Sequence, residues 1–199
     1  MLLSAPKVII SDVDVKEWHA ATPSVDRVRP SRCPRCGAAA RPVGEPLGLW
    51  GHGTRKRLCV GSLRFGAAPD RLTVAVRRFL CRRCTRTCTV VPRGVCPGRI
   101  YLLGTIVWAL ALWALSADEP SAAAVRGWLS PLKKSPHQPA RRDWAQLRRW
   151  AKAADLAGGL APKGRAGRIA GIYVGRSPPS SRHSSLTQRA FLGVIRQPF

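Results

Sequence analysis

RRFLCRRCTRTCTVVPRG, residues 77–94, places three cysteines and six arginines in eighteen positions. Cys81-Arg-Arg-Cys84 has the two-residue spacer of a turn that brings two thiolates toward one ion. Upstream, Cys33-Pro-Arg-Cys36 repeats that spacer, and the following Gly37 supplies the permissive backbone such a tight turn needs. Two such turns provide the four thiolates of a tetrahedral site, so Cys33, Cys36, Cys81 and Cys84 are the expected ligands and Zn²⁺ the expected ion. The 44 residues between the pairs must themselves be folded for the two turns to meet. Two β-rich runs lie there, Arg57 to Phe65 and Arg71 to Leu80, joined by GAAPD, a good hairpin connection. In the second run Leu72, Val74 and Val76 alternate with Thr73, Ala75 and Arg77, which predicts one buried face and a hairpin that carries Cys81 back to Cys33.

The remaining cysteines read differently. Cys59 falls on a strand and behaves as a small buried side chain. Cys88, four residues past Cys84, is either a bystander or an alternative to Cys84 as ligand, while His52 in Gly51-His52-Gly53 reads as a surface turn residue. Seven cysteines, an odd number, point to metal or free thiols before disulfides. Residues 1–10 show no secretory pattern, and a cytoplasmic protein is expected.

Charge sets the expected partner. The formal net charge is +24, and residues 31–100 carry fifteen basic against two acidic side chains. Such a surplus seeks polyanions, nucleic acid first and anionic membrane second. Arginine makes up 27 of the 34 basic residues beside abundant Ala, Gly and Pro, a bias that GC-rich codons would produce. Codon bias accounts for Arg over Lys but not for the scarcity of acids.

The order Cys-Pro-x-Cys-Gly, Gly-His-Gly, then Arg77-Arg78-Phe79-x-Cys81-x-x-Cys84 and Thr87-x-Thr89-Val90-Val91-Pro92 resembles the zinc-ribbon segment that opens several bacterial insertion-sequence transposases and related stand-alone proteins. It covers about residues 30–100. The resemblance implies a ribbon followed by a helix-turn-helix region, the two gripping double-stranded DNA, with Arg77, Arg78, Arg82, Arg83 and Arg86 on phosphate.

Downstream, Ile100 to Leu115 is almost wholly apolar, but sixteen residues of helix reach only ~24 Å, short of a ~30 Å hydrocarbon core, so a buried helix is expected. Asp118-Glu119-Pro120-Ser121 starts a short second helix to Leu129. After a Pro-rich loop, a third helix over about 140–156 would bury Trp144, Leu147, Trp150, Ala151 and Ala154. Its other face carries Arg141, Gln146, Arg148, Arg149 and Lys152, suited to a major groove, although the loop before it exceeds the usual helix-turn-helix length. From Gly158 the chain is rich in Gly, Pro, Ser and Arg and reads as a largely disordered basic tail, with room for a short helix over Leu186 to Ile195.

The expected fold is therefore α+β: an N-terminal segment (1–29), a small β zinc ribbon with an inserted hairpin (30–99), a three-helix, helix-turn-helix-like unit (100–157) and a tail (158–199). Ten acidic residues form no convincing catalytic set, so no enzyme is expected. A zinc-dependent DNA-binding protein of transposase origin is the expected function. RNA-binding or ribosome-associated scaffolding, and membrane attachment through Ile100 to Leu115, are the rival readings.

Overall fold

The computed structural model describes residues 8–131, 144–153 and 161–195 of the chain. It is a mixed α+β structure with one four-stranded sheet and six α-helices among those residues. The chain divides into two compact units, one comprising Met1–Leu58 and Thr73–Gly98, the other Cys59–Leu72 and Arg99–Phe199.

The sheet contains β1 (Val8–Asp14), β2 (Leu49–Gly61), β3 (Asp70–Cys81) and β4 (Thr87–Arg93), in the order β1-β4-β3-β2. β4 runs antiparallel to β3, with Phe79 opposite Cys88, and parallel to β1, with Ile9 opposite Val90. The Cys81–Cys84 turn links β3 to β4, so pairing of these strands holds both ends of that turn. Leu72, Val74 and Val76 are buried in alternation, as the period-two pattern predicts. The register with β1 shifts between Ile10 and Asp14, whose partners Val91 and Arg93 flank Pro92. Proline has no N–H to give the ladder, which accounts for an interruption there.

Two differences from the sequence reading concern this sheet. The N-terminal segment contributes β1, and the first hairpin strand starts at Leu49 rather than Arg57, so His52 lies exposed in β2 instead of in a turn. Helix α1 (Val15–Ala20) follows β1, its first turn capped by the Asp14 carboxylate accepting from the Lys16 N–H at 2.9 Å. It plants Trp18, 1% exposed, against the sheet, with the indole N–H donating to the Ala75 carbonyl at 2.9 Å. Val13, Val28, Leu49, Phe79, Val90 and Val91 complete this unit's core.

Besides the end of β2 and the start of β3, the second unit holds five helices among the described residues: α2 (Leu103–Leu115), α3 (Ala122–Leu129), α4 (Ala145–Ala153), α5 (Pro162–Gly175) and α6 (Leu186–Ile195). α2 buries Ile106, Val107, Ala109, Leu110 and Ala111, as its apolar sequence predicts. Ser121 caps α3, its hydroxyl accepting from the Ala124 N–H. Trp144 and Trp150 pack edge to face with each other and with Tyr101, at centroid distances of 5.0 to 5.8 Å, and Leu147 and Ala151 are buried beside them. Ala154 lies outside the described residues.

The expected disordered tail is instead two helices, and it supplies the principal partners of α2. Val107 and Ala111 of α2 meet Ala170 of α5 and Ala190 and Val194 of α6 in one cluster. Ala166, Ile169, Ala170 and Tyr173 recur at three and four residues, a helical stripe that the surrounding Gly and Arg mask. One glycine serves close approach: a Cβ at Gly193 of α6 would overlap the Tyr173 carbonyl oxygen of α5. The helical packing is thus centred on α2, α5 and α6 rather than on three consecutive helices.

Candidate metal centre

The first unit brings Cys33, Cys36, Cys81 and Cys84 together, their sulfurs all within 4.8 Å of one another, and the group could hold a metal ion. Cys33 and Cys81 are buried, while Cys36 and Cys84 are half-buried. Across the two turns, Cys33 Sγ lies 3.8 Å from Cys84 Sγ and Cys36 Sγ 3.7 Å from Cys81 Sγ.

The two turns have the same backbone plan. Cys33 N–H donates to Ala38 O and Gly37 N–H returns to Cys33 O; Cys81 N–H donates to Arg86 O and Thr85 N–H returns to Cys81 O. The residue after the second cysteine is left-handed in both, Gly37 at φ 71° and Thr85 at φ 54°. Glycine adopts this without strain, whereas the β-branched threonine adopts it at a cost. Backbone N–H groups also converge on the sulfurs: Arg35 and Cys36 donate to Cys33, Ala38 to Cys36 and Arg86 to Cys84. Gly48 stitches the turns together, donating to Ala40 O and accepting from Arg82 N–H, each at 2.9 Å.

These contacts distribute negative charge unevenly. Burial raises the Cys33 thiol, but the N–H groups of Arg35 and Cys36 outweigh it and bring the pKa down to about 7. Burial, together with the neighbouring Cys81, Cys33 and Cys36, pushes Cys84 up to about 12 against the opposing Arg86 N–H. Cys36 receives the Ala38 N–H, yet burial and the sulfurs of Cys33 and Cys81 leave it above its ordinary value. One thiolate therefore forms near neutrality, while Cys36 and Cys84 stay protonated unless a cation joins them.

Cys88 stays out of the cluster. It is buried on β4, and burial and the nearby Cys33 and Cys81 push it up to about 11. Cys59 is likewise buried, as expected.

The sequence-predicted arginines separate into two kinds. Arg82, Arg83 and Arg86 are exposed at the second cysteine turn. Arg77 is half-buried on β3, with Nε and Nη2 both donating to the Pro23 carbonyl at 2.9 and 2.7 Å, which gives it a structural role. Arg78 is half-buried on β3, and Arg35, inside the first turn, has a buried Nε without a hydrogen-bond partner. In the second unit Arg148, Arg149 and Lys152 are exposed on α4 and Gln146 is half-buried; Arg141 lies outside the described residues.

One feature escapes spacing arguments: Trp50 on β2 is 50% exposed, and the Arg82 guanidinium sits 5.5 Å from its ring centroid. Only its place beside the basic cysteine turn marks it, and that follows from strand pairing. Among the described residues no helix is long and apolar enough to cross a membrane. Compared with protein-family models, curated proteins and solved structures, the chain matches none.

Proposed function

We propose that the first unit is a zinc ribbon, of the kind that opens bacterial insertion-sequence transposases, and that the chain binds duplex DNA without a catalytic role of its own. The observation that carries this is the juxtaposition of four cysteine sulfurs with three exposed arginines on one turn, Arg82, Arg83 and Arg86. An all-thiolate set selects soft ions, and Zn–S bonds of about 2.3 Å give a tetrahedron with edges of about 3.8 Å. The two sulfur pairs across the turns, at 3.8 and 3.7 Å, fit that edge. Zinc would neutralise four thiolates only in part, and Arg35 is placed to offset the remaining charge. Arginine forks match phosphate oxygens, and the net charge of +24 favours a polyanion at long range. In the second unit, α4 is the candidate groove helix, with Gln146, Arg148, Arg149 and Lys152 as base- or phosphate-contacting residues, a helix-turn-helix-like role.

Two measurements test this reading. Elemental analysis should find about one zinc per purified chain, lost on Cys81→Ser. Competition among duplex DNA, structured RNA and anionic vesicles should favour the duplex, with an affinity that falls steeply in salt. Preference for RNA would replace it with the scaffold reading, and preference for vesicles with membrane attachment.

A further inference from the structure

Next to the cysteine turns the first unit has a hollow of about 610 Å³, within the size range of small-molecule clefts. Arg82 and Arg83 line one part of it, Glu45 and Pro46 another, with Gly48 between them in sequence. Arg82 also lies over Trp50, whose indole N–H donates to Leu47 O at 2.5 Å. The unit's other tryptophan with a hydrogen-bonded indole, Trp18, is 1% exposed, whereas Trp50 is 50% exposed. Trp50 thus adds little to the core, yet its N–H bond and the cation above it hold the ring in one orientation, as a stacking surface requires.

Resting on the DNA-binding reading above, we propose that this hollow takes one unpaired, amino-bearing nucleobase at a DNA end, stacked on the Arg82 guanidinium, which lines the hollow and is backed by Trp50. The mixed charge of its walls decides for a base over phosphate alone. A hollow lined by Arg82 and Arg83 only would accept any polyanion; Glu45 repels phosphate but accepts N–H from the exocyclic amine of cytosine, adenine or guanine. The two arginines hold the adjoining phosphate. Thymine, which presents carbonyls on either side of a single N–H, is disfavoured opposite Glu45.

The test uses the zinc-loaded full chain and fluorescence anisotropy with four DNAs: a blunt duplex, and the same duplex with a three-nucleotide overhang of dC, of dT, or of abasic sugar phosphate. The dC overhang should bind about tenfold tighter than the blunt and abasic forms, as stacking of an unpaired base supplies. Trp50→Ala should abolish that gain while the urea unfolding midpoint stays that of the wild type, which reports a folded protein, and Trp50→Phe should retain most of it. Glu45→Gln, a change at an exposed position, should narrow the margin of dC over dT. An equal gain from the abasic overhang, or a gain that survives Trp50→Ala, would overturn the proposal in favour of charge alone. Loss of blunt-duplex binding in the wild type, with overhang binding intact, would instead sink the duplex reading and leave this site standing.

Discussion

Replacing Gly48 with alanine puts a methyl group where two segments of the first unit already touch. An alanine Cβ there would overlap the Ala39 carbonyl oxygen and lie 3.4 Å from its carbon. Neither is a side-chain atom that could swing aside, so the start of β2 or the segment after the Cys33–Cys36 turn must move. Overpacking of this sort costs about 1 to 3 kcal/mol. The displacement is transmitted, because Gly48 donates to Ala40 O and accepts from Arg82 N–H at 2.9 Å on each side. These two bonds tie one cysteine turn to the other, and metal affinity is coupled to the folding of the ligand frame. If 1 to 2 kcal/mol of the cost falls on the metal-bound state, affinity drops roughly 5- to 30-fold. The assay is chelator competition on zinc-loaded protein, paired with urea unfolding. Gly127→Ala is the control: it lies in α3 with nothing within 4 Å of the added methyl, and should stabilise its unit by up to about 1 kcal/mol. If Gly48→Ala releases metal at the same chelator concentration as wild type and unfolds at the same midpoint, the close approach of Gly48 to Ala39 does not govern closure of the site.

Thr85→Gly should stabilise the metal-bound protein by about 0.5 to 1 kcal/mol, because the left-handed backbone costs a β-branched residue about 1 to 2 kcal/mol and glycine returns part of this through unfolded-state freedom; a lower urea midpoint would refute it. Metal loading at pH 7 should release at least two protons, since Cys36 and Cys84 are raised and protonated there and must bind as thiolates, so affinity rises with pH. Calorimetry in buffers of different ionisation enthalpy counts them. Arg77→Ala should destabilise the first unit by about 1 to 3 kcal/mol through the orphaned Pro23 carbonyl, while Arg86→Ala should leave stability within about 0.5 kcal/mol and lower the salt slope of DNA binding by about one. Urea titration and salt-dependent binding of both variants separate the structural arginine from the exposed one.

The cysteine site was legible because its information is local: a two-residue spacer and one glycine describe each turn, and the alternation of Leu72, Val74 and Val76 describes the strand that joins them. Strand β1 was not legible, since VIISDVD pairs with β4 across about eighty residues and no neighbouring turn announces that partner. The same limit applies to Arg77. In sequence it is one of six arginines in eighteen residues, indistinguishable from Arg82 or Arg86; only the position of the Pro23 carbonyl, set by β1 and α1, makes it structural. Trp50 was hidden because the first hairpin strand reads from Arg57 in the sequence, and only its start at Leu49 brings this residue beside the second cysteine turn.

Glycine accounts for the largest misreading, and it does so physically. In PKGRAGRIAGIYVG four glycines among fourteen residues lower helix propensity by roughly 1 kcal/mol each, so an isolated peptide would not be helical and the composition matches a disordered tail. What reverses the outcome is the neighbour. Val107 and Ala111 of α2, with Ala190 and Val194 of α6, offer an apolar surface on which Ala170 is buried and against which Tyr173 and Val174 pack. At Gly193 the tolerance disappears altogether, because the Tyr173 carbonyl occupies the place a side chain would take. Helices of this kind carry their signal in the apolar residues at spacing three and four, Ala166, Ile169, Ala170 and Tyr173, and the length of apolar surface on α2 is the other half of it. A buried helix as apolar as Leu103–Leu115 needs cover on several sides, and α5 and α6 supply it with small and large residues together, Ala170 and Ala190 beside Tyr173 and Phe191.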